Sequence, residues 1–477
     1  MHRDEYIQYD ALGLAQLVRT GEVNPLELLA AAEAQVNALN PRLNAVVTPL
    51  WERARRQIEA GLAAGPFHGV PLVLKDLGQY FEGTVTTGGS RLFRDAVADH
   101  NSTLTQRYLD AGLVICGKSN TPEFGLATTT EPVLFGPARN PWHTDYSTGG
   151  SSGGAGAIVA SGMMPAAHAS DGGGSIRIPA SCCGLFGLKP SRGRVPLGPA
   201  ALEGWGGLST THVVTRSVRD SAALLDISAG AEVGSPYVAP MVANSFASAL
   251  ESPPTGLVIG LCTKPFNGAA VDPEVVDACE QTARLLENLG HTIVPLQPDL
   301  DPESVRGAHG ILAVSHIGAL VQARASALGR AVREDEVERV TWQNAESAKL
   351  ISGADYAAAV HQIHQHGRVI ESLFAKVDVL LTPTMACLPP RLGALDMMSE
   401  DSDRYLELLY QMIGFTALFN DTGHPAASVP LNLSQAGLPI GSQLVAAYGD
   451  ERRLLQLAGQ IEAGQHFTEV QPLKALG

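Results

Sequence analysis

Cysteine, aromatic side chains and positive charge are all scarce in this chain of 477 residues. The six cysteines, at 116, 182, 183, 262, 279 and 387, include no C-x-x-C pair. That argues against a disulfide scaffold and against the usual cysteine-based zinc sites. Cys182 and Cys183 are adjacent and poorly placed to bridge each other, so reduced thiols in a cytoplasmic compartment are expected. Aromatics make up 5% of the residues, which predicts an aliphatic core. Lys and Arg number 33 against 48 Asp and Glu, a formal net charge of −15. This balance disfavours nucleic acid and anionic membranes as partners. No uninterrupted apolar run approaches the roughly 18 residues of a membrane span, and the start MHRDEYIQYD is too polar for a secretory leader. Internal repeats and low-complexity tails are also missing.

Glycine, in contrast, is plentiful, and it concentrates where the chemistry is expected. Between Gly149 and Gly174 there are nine glycines, within TGGSSGGAGAIVASGMMPAAHASDGGGSIRIPASCCGLFGLKPS at 148–191. Two serines stand in the glycine clusters, Ser151 in GGSSGG and Ser175 in DGGGSIR. Glycine lets the backbone take positive φ and pass close to a ligand. Successive backbone N–H groups in such a loop can converge on one oxygen and hold negative charge there. Ser175, with the amides of Gly172, Gly173, Gly174 and Ser175 around it, is thus a candidate nucleophile beside its own oxyanion hole. A flexible linker would lack the apolar runs AIVASGMMPAAHA and IPASCCGLFGL.

Strand-like runs alternate with helix-like ones, which predicts an α/β fold. Strands are expected at 43–48, 70–75, 113–117, 257–263, 291–296, in DVLLTPT, and in AASVPLN and GSQLVAA. Helices are expected over 11–19 behind Asp10, from Pro25 behind Asn24, over 50–62, after Asn101-Ser102, and over 153–162, 216–229, 272–289, 403–420 and 450–464. Helix signal is nearly continuous over 302–376, with breaks at Gly329 and Gly353.

Two short patterns compete for a function. Gly112-LVIC-Gly117-Lys118-Ser119 fits the phosphate-binding P-loop, but its variable positions read as a strand and Pro122 follows at once. Gly149–Gly153 fits the G-x-S-x-G nucleophile elbow, which would make Ser151 the nucleophile with Asp421 and His424 as partners. That reading leaves DGGGSIR unexplained. His361, His364 and His366 lack an acidic companion at metal-ligand spacing, and no metal is expected.

The set GGSSGG, D-x-GGSIRIPA and CG-x-x-GLKP closely resembles the amidase signature family of serine hydrolases. The resemblance extends through GVPLVLKDL (69–77), GKSNTPEFG (117–125), RNPW (139–142), DVLLTPT (378–384) and LPIGSQLVAA (438–447). It implies a single α/β domain over 1–477 with a central, mostly parallel or mixed twisted sheet between helices. The signature core would lie at about 65–200 and a more variable helical region at about 302–420. It implies a Ser-Ser-Lys triad: Ser175 as nucleophile, Ser151 as a bridge on a cis Gly150–Ser151 peptide, and Lys75 as base. Ser152, Asp171 and Arg177 would support the site, Phe124 would contact the acyl group, and no cofactor is called for.

Ala169, Gly172 and Ser191 depart from the residues more usual in the family, which bears on substrate size and rate. The tone of TPEFG, TTTEP and AHASD is similar to amidases that open nylon-type cyclic oligomers and to relatives that cleave urethanes. The partner implied is a small neutral amide or carbamate, and homodimers are common in the family. Glutaminase subunits of tRNA-dependent amidotransferases share the triad, but commonly carry Gln where this chain has Ile178.

Overall fold

Helix starts follow the capping chemistry written in the sequence. In the computed structural model, which describes residues 1–465, Asp10 accepts from Gly13 N–H at 2.9 Å and opens the helix Ala11–Thr20. Asn24 and Glu27 form a reciprocal capping box on Pro25–Leu43. Each such cap contributes about 1 kcal/mol. Ser102 behaves differently: its hydroxyl accepts from Tyr80 N–H at 2.8 Å and does not cap Thr103–Asp110. The expected domain end, 466–477, lies outside the described residues.

Eleven strands form one sheet: β1 (Val46–Pro49), β2 (Pro71–Lys75), β3 (Val114–Ser119), β4 (Ala166–Asp171), β5 (Phe186–Lys189), β6 (Thr210–Thr215), β7 (Val258–Leu261), β8 (Thr292–Pro295), β9 (Val379–Pro383), β10 (Ala426–Leu433) and β11 (Pro439–Val445). Their order is β1-β3-β2-β4-β6-β5-β10-β11-β9-β7-β8. β2 runs parallel to β3 and β4, and β7 runs parallel to β8 and β9. The centre, from β4 through β6, β5 and β10 to β11, is antiparallel. The sheet is therefore mixed, and not mostly parallel. Helices cover both faces in a single large α/β domain. The core is aliphatic, as the low aromatic content predicts, with Leu72, Val73, Ile115, Val159 and Leu188 fully buried.

This topology sets the position of the site. β2 and β4 lie side by side with Val73 opposite Ala167, so their carboxyl ends open on one edge. β2 ends at Lys75, and β4 ends at Asp171 and runs straight into the loop 172–175. The helix Gly153–Ala160 is buried throughout, and a methyl group added at Gly154 would come within 2.5 Å of the Asn120 backbone N. Only small residues allow that approach.

The helix signal over 302–376 resolves into Pro302–Leu328, Arg339–Ala348 and Gly353–Leu373. Gly329 closes the first in the left-handed conformation. By length and composition this helix is apolar enough to cross a membrane, with a mean hydropathy of 1.4 over 18 residues. Here it packs Leu312, Ile317 and Val321 into apolar clusters and forms one wall of the cavity described below.

Candidate active site

Lys75 is completely buried at the end of β2. Its Nζ donates to Ser151 Oγ at 2.6 Å and to Ser170 Oγ at 3.0 Å. Burial lowers its pKa from the ordinary lysine value to about 7, against the opposing pull of the Asp171 charge. An amine with that pKa is substantially neutral at neutral pH and can take a proton from a hydroxyl.

His168 lies behind it. Its Nδ1 accepts from Lys75 N–H at 3.2 Å, and its Nε2 bonds Thr211 Oγ1. The Thr211 hydroxyl donates to Ala169 O at 3.0 Å, so the Nε2 nitrogen carries the ring proton. Burial and the Lys75 charge hold His168 well below the usual histidine range. It is a neutral packing residue.

Gly149 and Gly150 have φ of +69° and +60°, a left-handed turn that glycine adopts without strain. They deliver Ser151 to the mouth of the helix Gly153–Ala160. Two expectations are corrected here. The Gly150–Ser151 peptide is trans; among the described residues only Gly198–Pro199 is cis. In addition, the bond linking the serines comes from the Ser151 N–H, which donates to Ser175 Oγ at 2.9 Å, while the Ser151 hydroxyl faces Lys75.

The loop that carries Ser175 is held from below. Burial pushes the Asp171 carboxyl up, but the adjacent Arg177 guanidinium outweighs this and keeps it well below the usual carboxylate range. Arg177 donates to Asp171 through Nε at 2.9 Å and Nη2 at 2.8 Å, and both side chains are fully buried. The guanidinium also reaches Thr416 O, Gln443 Oε1 and Asn420 Oδ1. Asp171 accepts from Ile176 N–H as well, at 3.0 Å. The pair thus fixes both ends of the loop.

Thr416 Oγ1 donates to Gly173 O at 2.7 Å. Gly174 has φ of +143°, and a methyl group there would sit 2.5 Å from both Ile178 Cδ1 and Thr416 Oγ1. Among the described residues, no protein acceptor takes the N–H of Gly172, Gly173, Gly174 or Ser175. Ser152 Oγ donates to Ser170 O at 3.1 Å and accepts from Ser170 N–H at 3.2 Å, and so positions the second hydroxyl that holds Lys75. Ser170 was missed in the sequence, although it directly precedes Asp171.

A cavity of about 510 Å³ opens onto Gly173 and Ser175. Its walls come from the loop at 125–128 and the helices over 302–420, with Leu126, Val314, Val340, Leu409 and Tyr410 among them. Phe124 is corrected: it does not line the cavity. Its φ of +51° turns the ring the other way, edge-on to Phe93 and into the cluster of Leu92, Ile317 and Val321. Among the larger side chains of the 302–420 region, Tyr410 borders the cavity. Met412 and Phe415 are fully buried in the core, and Tyr356 bonds His316. Trp205 and His309 border the cavity without having been singled out in the sequence.

The competing patterns dissolve in the structure. Residues 114–119 are strand β3, and the fully buried Lys118 donates to Gln79 O at 2.8 Å and Thr86 Oγ1 at 2.9 Å. Asp421 and His424 do not pair: Asp421 bonds His309, and His424 bonds Thr422 Oγ1 and Glu371. The Asp421–His424 pair that the elbow reading needs is therefore not formed.

Comparison with known proteins places the whole chain, not the individual site residues. The family model described as Amidase matches residues 27–455. The chain is 39% identical over 476 residues to the 6-aminohexanoate-cyclic-dimer hydrolase of Paenarthrobacter ureafaciens, covering 97% of this chain and 96% of that protein. It superposes on a solved structure of 6-aminohexanoate cyclic dimer hydrolase complexed with substrate with a TM-score of 0.93 and 38% identity, over 98% of this chain and 99% of that one. A bacterial aryl acylamidase follows at a TM-score of 0.87 and 28% identity, with 98% of each chain covered.

Proposed function

The chain belongs to the amidase signature family, and on that premise we propose that it cleaves the C–N bond of neutral, partly apolar amides through an acyl-enzyme on Ser175. The amidase class rests on the family match and on the full-length similarity to amide hydrolases. The observation that carries the finer reading is the buried Lys75, of pKa about 7, hydrogen-bonded to the Ser151 hydroxyl beside Ser175.

Rotation of Ser175 about its Cα–Cβ bond turns its hydroxyl from the Ser151 N–H to the Ser151 Oγ. Neutral Lys75 then takes the Ser151 proton as Ser151 takes that of Ser175. Ser175 Oγ attacks the carbonyl carbon, and the free amides of 172–175 receive the oxyanion. As the tetrahedral intermediate collapses, the proton returns through Ser151 to the departing nitrogen, the C–N bond breaks and the amine leaves. Water repeats the sequence on the acyl-enzyme and frees the acid.

A carbamate places one more oxygen on the same carbonyl carbon. Amine departure then leaves an alkoxycarbonyl group on Ser175, which water releases as alcohol and carbon dioxide. Carbamate and ester hydrolysis are thus extensions of one route. The walls are largely apolar, with Arg306 held against Asn267 O among them, which suits a partly apolar substrate, and the relative that acts on 6-aminohexanoate cyclic dimer points to amides of aliphatic amino acids.

The test is a matched acyl anilide and aryl carbamate that release the same amine, assayed at pH 8–9 with wild type and Ser175→Ala. Cleavage of the anilide that is lost in the variant is the expected result. Cleavage of both compounds extends the reading to carbamates. Retention of activity in Ser175→Ala overturns it.

A further inference from the structure

Among the polar side chains on the cavity wall, one is wired to a buried acid. His309, on the helix Pro302–Leu328, borders the same cavity as Ser175. Its Nδ1 lies 2.7 Å from Asp421 Oδ1, with the Asp421 side chain fully buried and that of His309 12% exposed. The second oxygen of Asp421, Oδ2, is buried and has no hydrogen-bond partner among the described residues. His309 Nε2 has no protein partner among the described residues either. That nitrogen stands over the oxyanion loop: a methyl group added at Gly173 would meet it at 3.3 Å.

The tautomer follows from the partner. A carboxylate only accepts, so the proton on a neutral His309 ring sits on Nδ1 and points at Asp421. The lone pair is left on Nε2, facing the cavity. A carboxylate behind an imidazole also strengthens the outer nitrogen as an acceptor. The wall beside Gly173 therefore offers a hydrogen-bond acceptor, within an otherwise largely apolar space.

We infer that His309, held by Asp421, is a specificity-determining residue that accepts a hydrogen bond from a second N–H of the substrate. The inference rests on the amidase reading above. With the scissile carbonyl oxygen on the amides of 172–175, the scissile N–H points away from the loop, so His309 does not serve it. The group that fits is the N–H of another secondary amide or carbamate a few bonds along the substrate. The substrate class is then one with repeated amide or carbamate linkages, not a simple acylated amine.

The experiment uses p-nitroanilides of N-acetylglycine, N-acetyl-β-alanine and N-acetyl-4-aminobutyric acid, each beside a counterpart with CH₂ in place of the second N–H. The readout is the ratio of kcat/KM within each pair, so a general loss of activity cancels. Wild type should prefer the N–H compound by about tenfold at one chain length, the scale of one hydrogen bond in a desolvated site. His309→Phe should bring that ratio to about one, and His309→Gln, which keeps an acceptor, should retain part of the preference. Should His309→Phe fail to fold, Asp421→Leu, which releases the ring tautomer, reads the same ratio and should lower it.

A wild-type ratio of one at every length, or a preference that His309→Phe leaves intact, overturns the inference. Failure of the amidase reading looks different: no anilide is cleaved, or Ser175→Ala still cleaves them.

Discussion

The titration of Lys75 gives the most specific test of the proton relay. The residue is fully buried, and its pKa falls from 10.5 to about 7 because burial disfavours the ammonium more than Asp171 favours it. Only the neutral amine can act as base, so activity follows deprotonation and rises with pH. With a pKa of about 7, the neutral fraction is roughly one-tenth at pH 6, one-half at pH 7 and nine-tenths at pH 8. The kcat/KM for an uncharged anilide should therefore rise about tenfold from pH 6 to 8 and then level off. An unshifted lysine would instead give a rise of about a hundredfold over that interval and no plateau below pH 10.

His168 adds no second limb, since it is held neutral behind Lys75. The assay is initial-rate kinetics from pH 5 to 10 at constant ionic strength. A flat profile across pH 6–8, or a limb still climbing at pH 9, would refute the argument. The same shift has a sign in stability. Between about pH 7 and 10.5 the unfolded chain binds the proton that the folded chain has lost, so this site makes folding more favourable as pH rises through that window.

Three further outcomes follow from the geometry. Arg177→Leu leaves Asp171 buried without its cation and should destabilise the fold by about 3–5 kcal/mol, read by urea denaturation. Gly174→Ala drives a methyl group into Ile178 and Thr416 and misplaces the loop amides. It should lower kcat by at least about a hundredfold, the scale of one lost oxyanion donor, with the fold retained by circular dichroism. Ser170→Ala removes one of the two acceptors of Lys75, which disfavours the ammonium further. The acidic limb of the pH–rate profile should move to lower pH, and a shift to higher pH would count against the assigned hydrogen bond.

The parts of the site that lie close in sequence were legible there. Ser151, Ser152, Asp171, Arg177 and the glycines 172–174 announce themselves by residue type and spacing, and Lys75 by ending an apolar strand in a family context. The structure brings all of them together at the ends of β2 and β4. The orientation of each was not legible. The side to which Phe124 turns depends on one left-handed backbone angle, and the trans peptide before Ser151 leaves no mark in residue type or spacing.

Ser170 and His309 needed the fold itself, since their partners stand 95 and 112 residues away. Among the strands, β4, β5 and β6 escaped the reading. They are buried almost throughout and built from small or hydroxyl residues, so neither alternation nor an apolar run marks them. The central antiparallel ladder they make is also why the sheet is mixed.

The central claim is that Ser175 carries the acyl group, activated through Ser151 and Lys75. The most direct measurement is intact-mass and peptide mapping after reaction with a slowly released p-nitrophenyl carbamate. The account predicts a single adduct on the peptide containing Ser175, absent in Ser175→Ala and formed far more slowly in Lys75→Ala. An adduct on Ser151, or full labelling of Ser175→Ala, would contradict it.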